Sequence, residues 1–166
     1  MTEILFYHLE HKPLEVVLPE LLEKCFERDW KVYIQCQNKA SAQKIDKQLW
    51  TYKADSFLPH GLDDAPQAQR KNFDKQEYAE LQPILIGAEA HNPNSSSVRF
   101  LLEGSDVETA EIAQYQRLIV MFDGADEQSV NTARAQWKKF KALPADILSA
   151  ITYWQQGASG RWEKMA

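Results

Sequence analysis

The stretch from Tyr115 to Ala142 changes its hydrophobic period within a few residues, and this change constrains the fold most. The run Leu118–Phe122 is short and apolar, and Asp123-Gly124 closes it, so it predicts a buried strand. The next apolar residues recur at i, i+3, i+7 and i+10, as on one face of a helix: Val130, Ala133, Trp137 and Phe140. A buried strand followed by an amphipathic helix is the building unit of a layered α/β domain.

The preceding chain repeats this alternation of strands and helices. Strands are predicted at 4–7, 31–36, 83–87 and 98–102, from short β-branched or alternating apolar runs. A helix follows Pro13 and either starts or kinks at Pro19, and Ser41 is expected to cap a second helix that runs to about Trp50. Residues 63–80 carry no clear period and predict a mobile loop or a marginal helix.

After the long helix, Asp146 is expected to cap a final helix that ends at Gly157. Its inward face would carry four apolar residues: Ile147, Leu148, Ile151 and Trp154. The whole pattern predicts an α/β fold in one domain over residues 1–166, with a mostly parallel sheet and helices on both faces. This arrangement is Rossmann-like but has no phosphate-binding loop.

The net charge argues against one large class of function. The formal charge is −5, which disfavours a general nucleic-acid binder, because such proteins gain affinity by neutralising phosphates with Lys and Arg. Two cysteines are too few for a disulfide scaffold and are expected to be reduced core thiols. No signal-like segment and no apolar run of membrane-spanning length is present, so we expect a cytoplasmic protein without a membrane partner.

The sequence also lacks the common catalytic and cofactor motifs. Neither a Walker A motif nor G-x-G-x-x-G occurs, and three carboxylates (Asp123, Asp126, Glu127) surround the helix start that would otherwise bind a phosphate. Helix-start aspartates are typically caps. His8 and His11 would need a third metal ligand from elsewhere in the chain. His60 has no nucleophile motif beside it. We therefore expect no catalytic residue, metal or cofactor.

A cationic row lies beside the aromatic face of the long helix. Arg134, Lys138 and Lys141 follow one another at i, i+4 and i+7, and Trp137 stands at the border between the two stripes. One interpretation is a solvated basic face. The other is a pocket with an aromatic floor and a cationic rim, suited to an acidic peptide that ends in an apolar residue. The predicted final helix, with Tyr153 and Trp154, would form the opposite wall.

A second candidate surface follows the second helix. Trp50 ends this helix, and Phe57 lies in the irregular segment that continues to Pro59 and His60. Both aromatic residues fit either a core position or an exposed protein-binding patch. His60 in such a loop is expected to bond the backbone rather than to act as a base.

Three segments together resemble the chi subunit family of bacterial DNA polymerase III holoenzyme. They are L-W followed by S-F-L-P-H-G within 49–61, R-L-I-V-M-F-D-G at 117–124 and A-R-A-Q-W-K-K-F-K at 133–141. The resemblance implies a non-enzymatic adaptor of the clamp-loader assembly that contacts DNA only indirectly. It implies two partners, the acidic, Phe-ending C-terminal tail of single-stranded DNA-binding protein and the psi subunit.

The resemblance also places these partners on the chain. The tail pocket would fall at Arg134, Trp137 and Lys138, with Lys141 beside them, and Arg134 would grip the terminal carboxylate. The psi contact would fall at four residues: Trp50, Phe57, Pro59 and His60. The alternative hypothesis is a small nucleotide- or small-molecule-binding enzyme on the same fold, and direct binding of single-stranded DNA is disfavoured by the charge.

Overall fold

The computed structural model describes residues 1–52 and 58–166. In these residues one sheet of eight strands has the order β3-β4-β2-β5-β6-β1-β7-β8. The strands are β1 Thr2–Leu9, β2 Val32–Gln35, β3 Gly61–Leu62, β4 Ile84–Gly87, β5 Val98–Leu102, β6 Arg117–Asp123, β7 Leu148–Gln156 and β8 Trp162–Lys164. The helices are α1 Leu14–Glu27, α2 Lys39–Trp50, α3 Gln67–Arg70, α4 Lys75–Leu81 and α5 Glu127–Lys141, with a 3₁₀ helix at Thr109–Gln114.

All neighbouring strands from β3 to β7 pair in parallel, and β8 alone pairs antiparallel, with β7. The predicted mostly parallel α/β sheet is therefore confirmed. Because parallel strands need a crossover between them, the helices are distributed over the two faces. Helices α1 and α2 pack on one face, through residues such as Leu22 and Ile45. Helices α4 and α5 pack on the other, through Ala79 and Phe140.

The predicted final helix is wrong: residues 148–156 form strand β7. The apolar residues at 147, 148, 151 and 154 fit a helical stripe, but the segment is also rich in β-branched and aromatic residues. The edge of β1 favours a strand over a helix for this segment. Residues Ile4 to His8 of β1 pair with Ile151 to Gln155, and this pairing satisfies the backbone hydrogen bonds of both segments. Period-two alternation then sends Tyr153 to the α5 face and Trp154 to the opposite face.

Smaller differences concern helix ends. Helix α1 begins at Leu14 and includes Pro19, so it does not start at that proline. Helix α2 is capped by Asn38, whose Oδ1 accepts from the Ser41 N–H at 2.8 Å, and not by Ser41. The segment 63–80 contains α3 and most of α4, which starts with a capping box of Asp74 and Glu77.

The two cysteines are free and buried, as predicted. Burial raises the pKa of Cys25 to about 11 and that of Cys36 to about 12, so both thiols stay protonated at neutral pH. Within the described part of the chain, no helix combines the length and apolar character needed to span a bilayer.

A fully buried arginine lies on the α5 face of β5, within the run 98–102 that predicted a strand. Arg99 is 0% exposed, and its Nε donates to the Gln35 side chain at 3.1 Å while its Nη1 donates to the Tyr115 hydroxyl at 3.0 Å. Glu111 lies 3.6 Å away as its counter-charge, and the guanidinium also lies over the Tyr33 ring. Such a group is tolerated in a core only when its donors are satisfied.

Replacement of this arginine tests that account. Arg99→Ala is expected to lower the free energy of unfolding by about 3–5 kcal/mol, because it leaves a cavity and removes the partners of Gln35 and Tyr115. Urea denaturation followed by circular dichroism measures the change. Arg117→Ala is the control: its ion pair with Glu3, at 2.8 Å, is about one-third exposed, so it should cost about 1 kcal/mol or less. Equal effects of the two substitutions would contradict a special role for the buried network.

Candidate functional site

Helix α5 is fixed on one flank and open on the other. Asp126 caps its start, with its carboxylate accepting from the Ser129 N–H at 3.1 Å, as predicted for a helix-start aspartate. Gln136 donates to the Ser105 carbonyl at 2.8 Å, and Lys139 Nζ lies 2.9 Å from Asp106. These bonds tie one flank to the loop after β5, which leaves the opposite flank facing a cavity.

The predicted cationic row lines this cavity, whose volume is about 510 Å³. All four residues predicted for the tail pocket lie along it: Arg134, Trp137, Lys138 and Lys141. The other walls come from the ends of β1 and β6, from β7 and from the chain after β8, through residues that include His8, Phe122, Tyr153 and Met165. We call this cavity and its lining the α5–β7 groove.

The floor of the α5–β7 groove is a set of edge-to-face aromatic rings. The Trp137 ring meets the Phe6 ring at 5.3 Å and 73°, and the Tyr153 ring at 6.0 Å and 86°. Such pairs add about 0.5–1.5 kcal/mol beyond burial, and they fix the ring orientation. Trp137 therefore forms a rigid apolar surface between the helix and the sheet.

The rim is strongly positive. Arg134, Lys138 and Lys141 are exposed, and across residues 1–52 and 58–166 none of the three forms an ion pair. The Lys141 Nζ lies 5.9 Å from the centre of the Trp137 ring. Three cations around one cavity repel each other, and an anion beside the aromatic floor would relieve that repulsion.

Tyr153 and His8 complete the wall on the sheet side. Burial raises the pKa of Tyr153, and the nearby Arg134 charge opposes this rise, so the phenol remains neutral and able to donate. The Tyr153 hydroxyl is hydrogen-bonded to His8 Nδ1. The His8 ring packs against Gly124, where any side chain would collide with it.

Sequence reasoning missed His8 and Phe122 as lining residues. Alternation along the predicted strand at 4–7 could have placed His8 on the same face as Ile4 and Phe6, but its partner depended on the register. The structure pairs His8 with Phe122 of β6 and with Gln155 of β7. Tyr153 was expected on the opposite wall and lies there, although it reaches the wall from a strand instead of a helix. Trp154 was expected beside it, but that prediction is wrong, because strand alternation turns Trp154 to the other face of the sheet.

Of the four residues predicted for the second surface, the structure describes three, of which one is exposed, one intermediate and one buried. Trp50 is 55% exposed at the end of α2, and Pro59 is intermediate. His60 is buried, and the centre of the Trp50 ring lies 4.5 Å from the centre of its ring, with the two planes tilted by 49°. Phe57 lies outside the described residues.

His60 bonds to backbone and to one carboxylate, as expected for a loop histidine. Its Nδ1 lies 2.6 Å from the Leu58 carbonyl, and its Nε2 lies 3.2 Å from Asp46 Oδ1. Burial alone would lower the pKa of His60, but these acceptors outweigh it and raise the pKa above the usual value. Both ring nitrogens face acceptors, which only the protonated ring satisfies at once.

The carboxyl ends of β1 and β6 form another cavity, of about 420 Å³, where a nucleotide would be sought in this fold. Four carboxylates line it, against one lysine and one histidine: Glu10, Glu15, Glu103 and Asp123 against Lys12 and His11. This charge disfavours a phosphate, in agreement with the acidic helix start read from the sequence.

Comparison with known proteins identifies relatives of this chain. Residues 1–147 match the family model described as DNA polymerase III chi subunit, HolC. A probable DNA polymerase III subunit chi of Rickettsia prowazekii is 30% identical over 122 residues, which is 74% of this chain and 66% of that relative. DNA polymerase III subunit chi of Pseudomonas aeruginosa is 33% identical over 42 residues, 25% of this chain and 30% of that relative.

The matched segments thus span just under two thirds of the first relative and less than one third of the second. The region that the family model matches includes α5 and ends one residue before β7 begins at Leu148. Since this match covers most of the sequence, the chain belongs to the DNA polymerase III chi subunit family.

Proposed function

We propose that this chain acts in DNA replication as a non-catalytic adaptor of the DNA polymerase III clamp-loader assembly. Its main ligand would be the acidic C-terminal tail of single-stranded DNA-binding protein, held in the α5–β7 groove. The observation that carries the proposal is the cationic row of Arg134, Lys138 and Lys141 beside the Trp137 ring, a row that has no ion pair among the residues that the structure describes. Membership of the chi subunit family supports the setting in replication, and a replication adaptor would work in the cytoplasm.

The chemistry of the groove fits the two ends of such a tail. A terminal carboxylate accepts a bidentate pair of hydrogen bonds from an arginine, which a lysine cannot provide. Arg134 is the arginine of the groove, and Lys138 lies one turn further along the same helix. A terminal phenylalanine would pack on Trp137 and Tyr153, and the preceding carboxylates would lie near the lysines.

The free energies of the expected contacts favour a weak and reversible complex. Burial of one large apolar side chain contributes about 1.5–3 kcal/mol, and each charge-assisted hydrogen bond about 1.5–3 kcal/mol. After the ordering of a flexible tail, an affinity on the order of micromolar remains. Because the rim cations are exposed, added salt should weaken the complex.

Peptide titration tests the groove. Arg134→Ala is expected to weaken binding of a synthetic acidic peptide ending in Pro-Phe by at least about tenfold, since it removes the carboxylate's bidentate partner. Fluorescence anisotropy measures the dissociation constant, and circular dichroism verifies the fold.

Lys139→Gln is the matched control for this titration. It removes the same charge from the same helix, but Lys139 pairs with Asp106 on the opposite flank, so affinity should stay within about twofold. The same peptide with an amidated C-terminus should bind the unsubstituted chain weakly. Full affinity in Arg134→Ala, or equal loss in both variants, would contradict the assignment.

The second proposed partner is the psi subunit, bound around Trp50, Pro59 and His60, with Phe57 in the same segment. Among the described residues of this group, Trp50 is the exposed one, and large aromatic residues are frequent anchors of interfaces. His60 is buried beneath it and would orient the indole rather than contact the partner over a large area. We therefore assign the anchoring role to Trp50 and a positioning role to His60.

A substitution at Trp50 tests this second surface. Trp50→Ala is expected to weaken the affinity for the psi subunit by more than about tenfold, as for a central aromatic anchor. Surface plasmon resonance with immobilised psi measures the change. Phe73→Ala is the control, because Phe73 is 45% exposed in another part of the chain and should leave psi binding unchanged. Unchanged binding by Trp50→Ala would place the psi contact elsewhere.

Nucleotide binding is the alternative function, and the acidic cavity at the ends of β1 and β6 argues against it. A thermal-shift screen distinguishes nucleotide binding from tail binding, because a bound ligand stabilises the folded state by RT ln(1 + [L]/Kd). We expect ATP, GTP and NAD to leave the melting temperature unchanged, while the acidic peptide raises it. A saturable shift with any nucleotide would support the enzyme instead.

A further inference from the structure

A third cavity lies far along the sheet from the α5–β7 groove, outside the site proposed for the tail. It is bounded by the carboxyl ends of β3 and β4 and by helices α2 and α4, and its volume is about 370 Å³. In open parallel sheets, ligands bind beyond the carboxyl ends of the strands. Asp63 follows β3 directly, and Glu89 and His91 follow β4.

These three side chains place potential metal ligands close together. One atom from each of Asp63, Glu89 and His91 lies within 4.8 Å of the other two. His91 Nε2 is 2.5 Å from Asp63 Oδ2, and His91 Nδ1 is 4.0 Å from Glu89 Oε2. The imidazole distinguishes this cluster from an ordinary acidic patch, because a nitrogen ligand with carboxylate oxygens suits Zn²⁺ or Mn²⁺.

The backbone around the cluster is fixed by the core. The Asp63 N–H donates to the Ile86 carbonyl at 2.8 Å, which joins it to the end of β4. The buried Tyr33 hydroxyl donates to the Glu89 carbonyl at 2.7 Å, and the His91 ring meets the Tyr33 ring edge-on at 5.5 Å. A metal would therefore recruit ligands whose main chain is already held in place.

Gly87 leaves the space in which Asp63 and the Tyr33 hydroxyl approach the end of β4. A side chain there would come within 2.5 Å of the Tyr33 hydroxyl and 3.0 Å of Asp63 Cβ. Any larger residue would therefore push Asp63 away from His91 or displace the tyrosine that holds Glu89.

Local charge also favours a cation. Asp63 and Glu89 bring two carboxylates, and the Asp63 side chain is 17% exposed, so its charge is poorly screened. The nearby cations are engaged elsewhere, because Lys39 and Lys75 pair with Asp64 at 3.2 Å and 3.8 Å. A dication with two carboxylates and a neutral imidazole gives an uncharged unit.

We propose that Asp63, Glu89 and His91 bind one divalent transition-metal ion, Zn²⁺ or Mn²⁺, with water from the cavity completing its coordination. In the complex, the unprotonated nitrogen of the His91 ring would donate its lone pair to the metal, and the other ring nitrogen would carry the proton. The ion would join the segment after β3 to the segment after β4 and stabilise this end of the sheet.

Titration of the metal-free chain tests the proposal. After dialysis against EDTA, calorimetry with ZnCl₂ and MnCl₂ should show one saturable equivalent. His91→Gln and Asp63→Asn should each weaken binding by at least about tenfold. Glu89→Gln is the variant least able to disturb folding, since the Glu89 side chain is 74% exposed, and it should also weaken binding. Circular dichroism verifies that each variant is folded.

His11→Gln is the matched control, because His11 is an exposed histidine 3.9 Å from Glu10 in another part of the structure. It should leave the affinity unchanged. Co²⁺ gives a further readout, since the intensity of its visible d–d bands reports on the geometry of the bound ion. At a fixed Co²⁺ concentration these bands should weaken in His91→Gln. The proposal is overturned by the absence of saturable binding below about 1 mM, by full affinity in Glu89→Gln and His91→Gln, or by a loss in His11→Gln.

Discussion

The parallel hydrogen bonds between β1 and β7 hold together the sheet side of the α5–β7 groove. Strand β1 carries Phe6 and His8, and β7 brings Tyr153 beside them, so that α5 packs over both strands. At the end of the pair, the Gln156 side chain accepts the backbone N–H groups of Glu10, His11 and Lys12 at 3.0–3.3 Å. Without this pairing, Trp137 would lose its edge-on partner Tyr153, and the cationic row would border a flat surface.

The two flanks of helix α5 have different roles. Gln136 and Lys139 bind the loop after β5, while Ala133 and Phe140 enter the core. The remaining flank faces the α5–β7 groove, and in the described chain its cations form no ion pair. The acidic start of α5 supports the helix through the Asp126 cap, so the surface suited to a ligand lies further along the same helix.

The sequence predicted the strands and helices whose hydrophobic period fits only one kind of secondary structure. The runs at 4–7 and 118–122 became β1 and β6, and the stripe through Ala133 and Phe140 became the buried face of α5. The segment 148–156 was mispredicted because its apolar spacing fits a helix, and only the open edge of β1 selects a strand. His8 was missed as a groove residue, since its place depends on a strand register that joins residues more than 100 positions apart.

The sequence by itself determined the cationic row beside Trp137, the acidic start of α5 and the absence of a glycine-rich phosphate loop. These are local properties, set by helical spacing and by the residues next to a helix end. Tertiary structure decided what opposes the row, by pairing β7 with β1 and turning Tyr153 towards Trp137. It likewise brought Asp63 to His91, because parallel strands align their carboxyl ends whatever their separation in sequence.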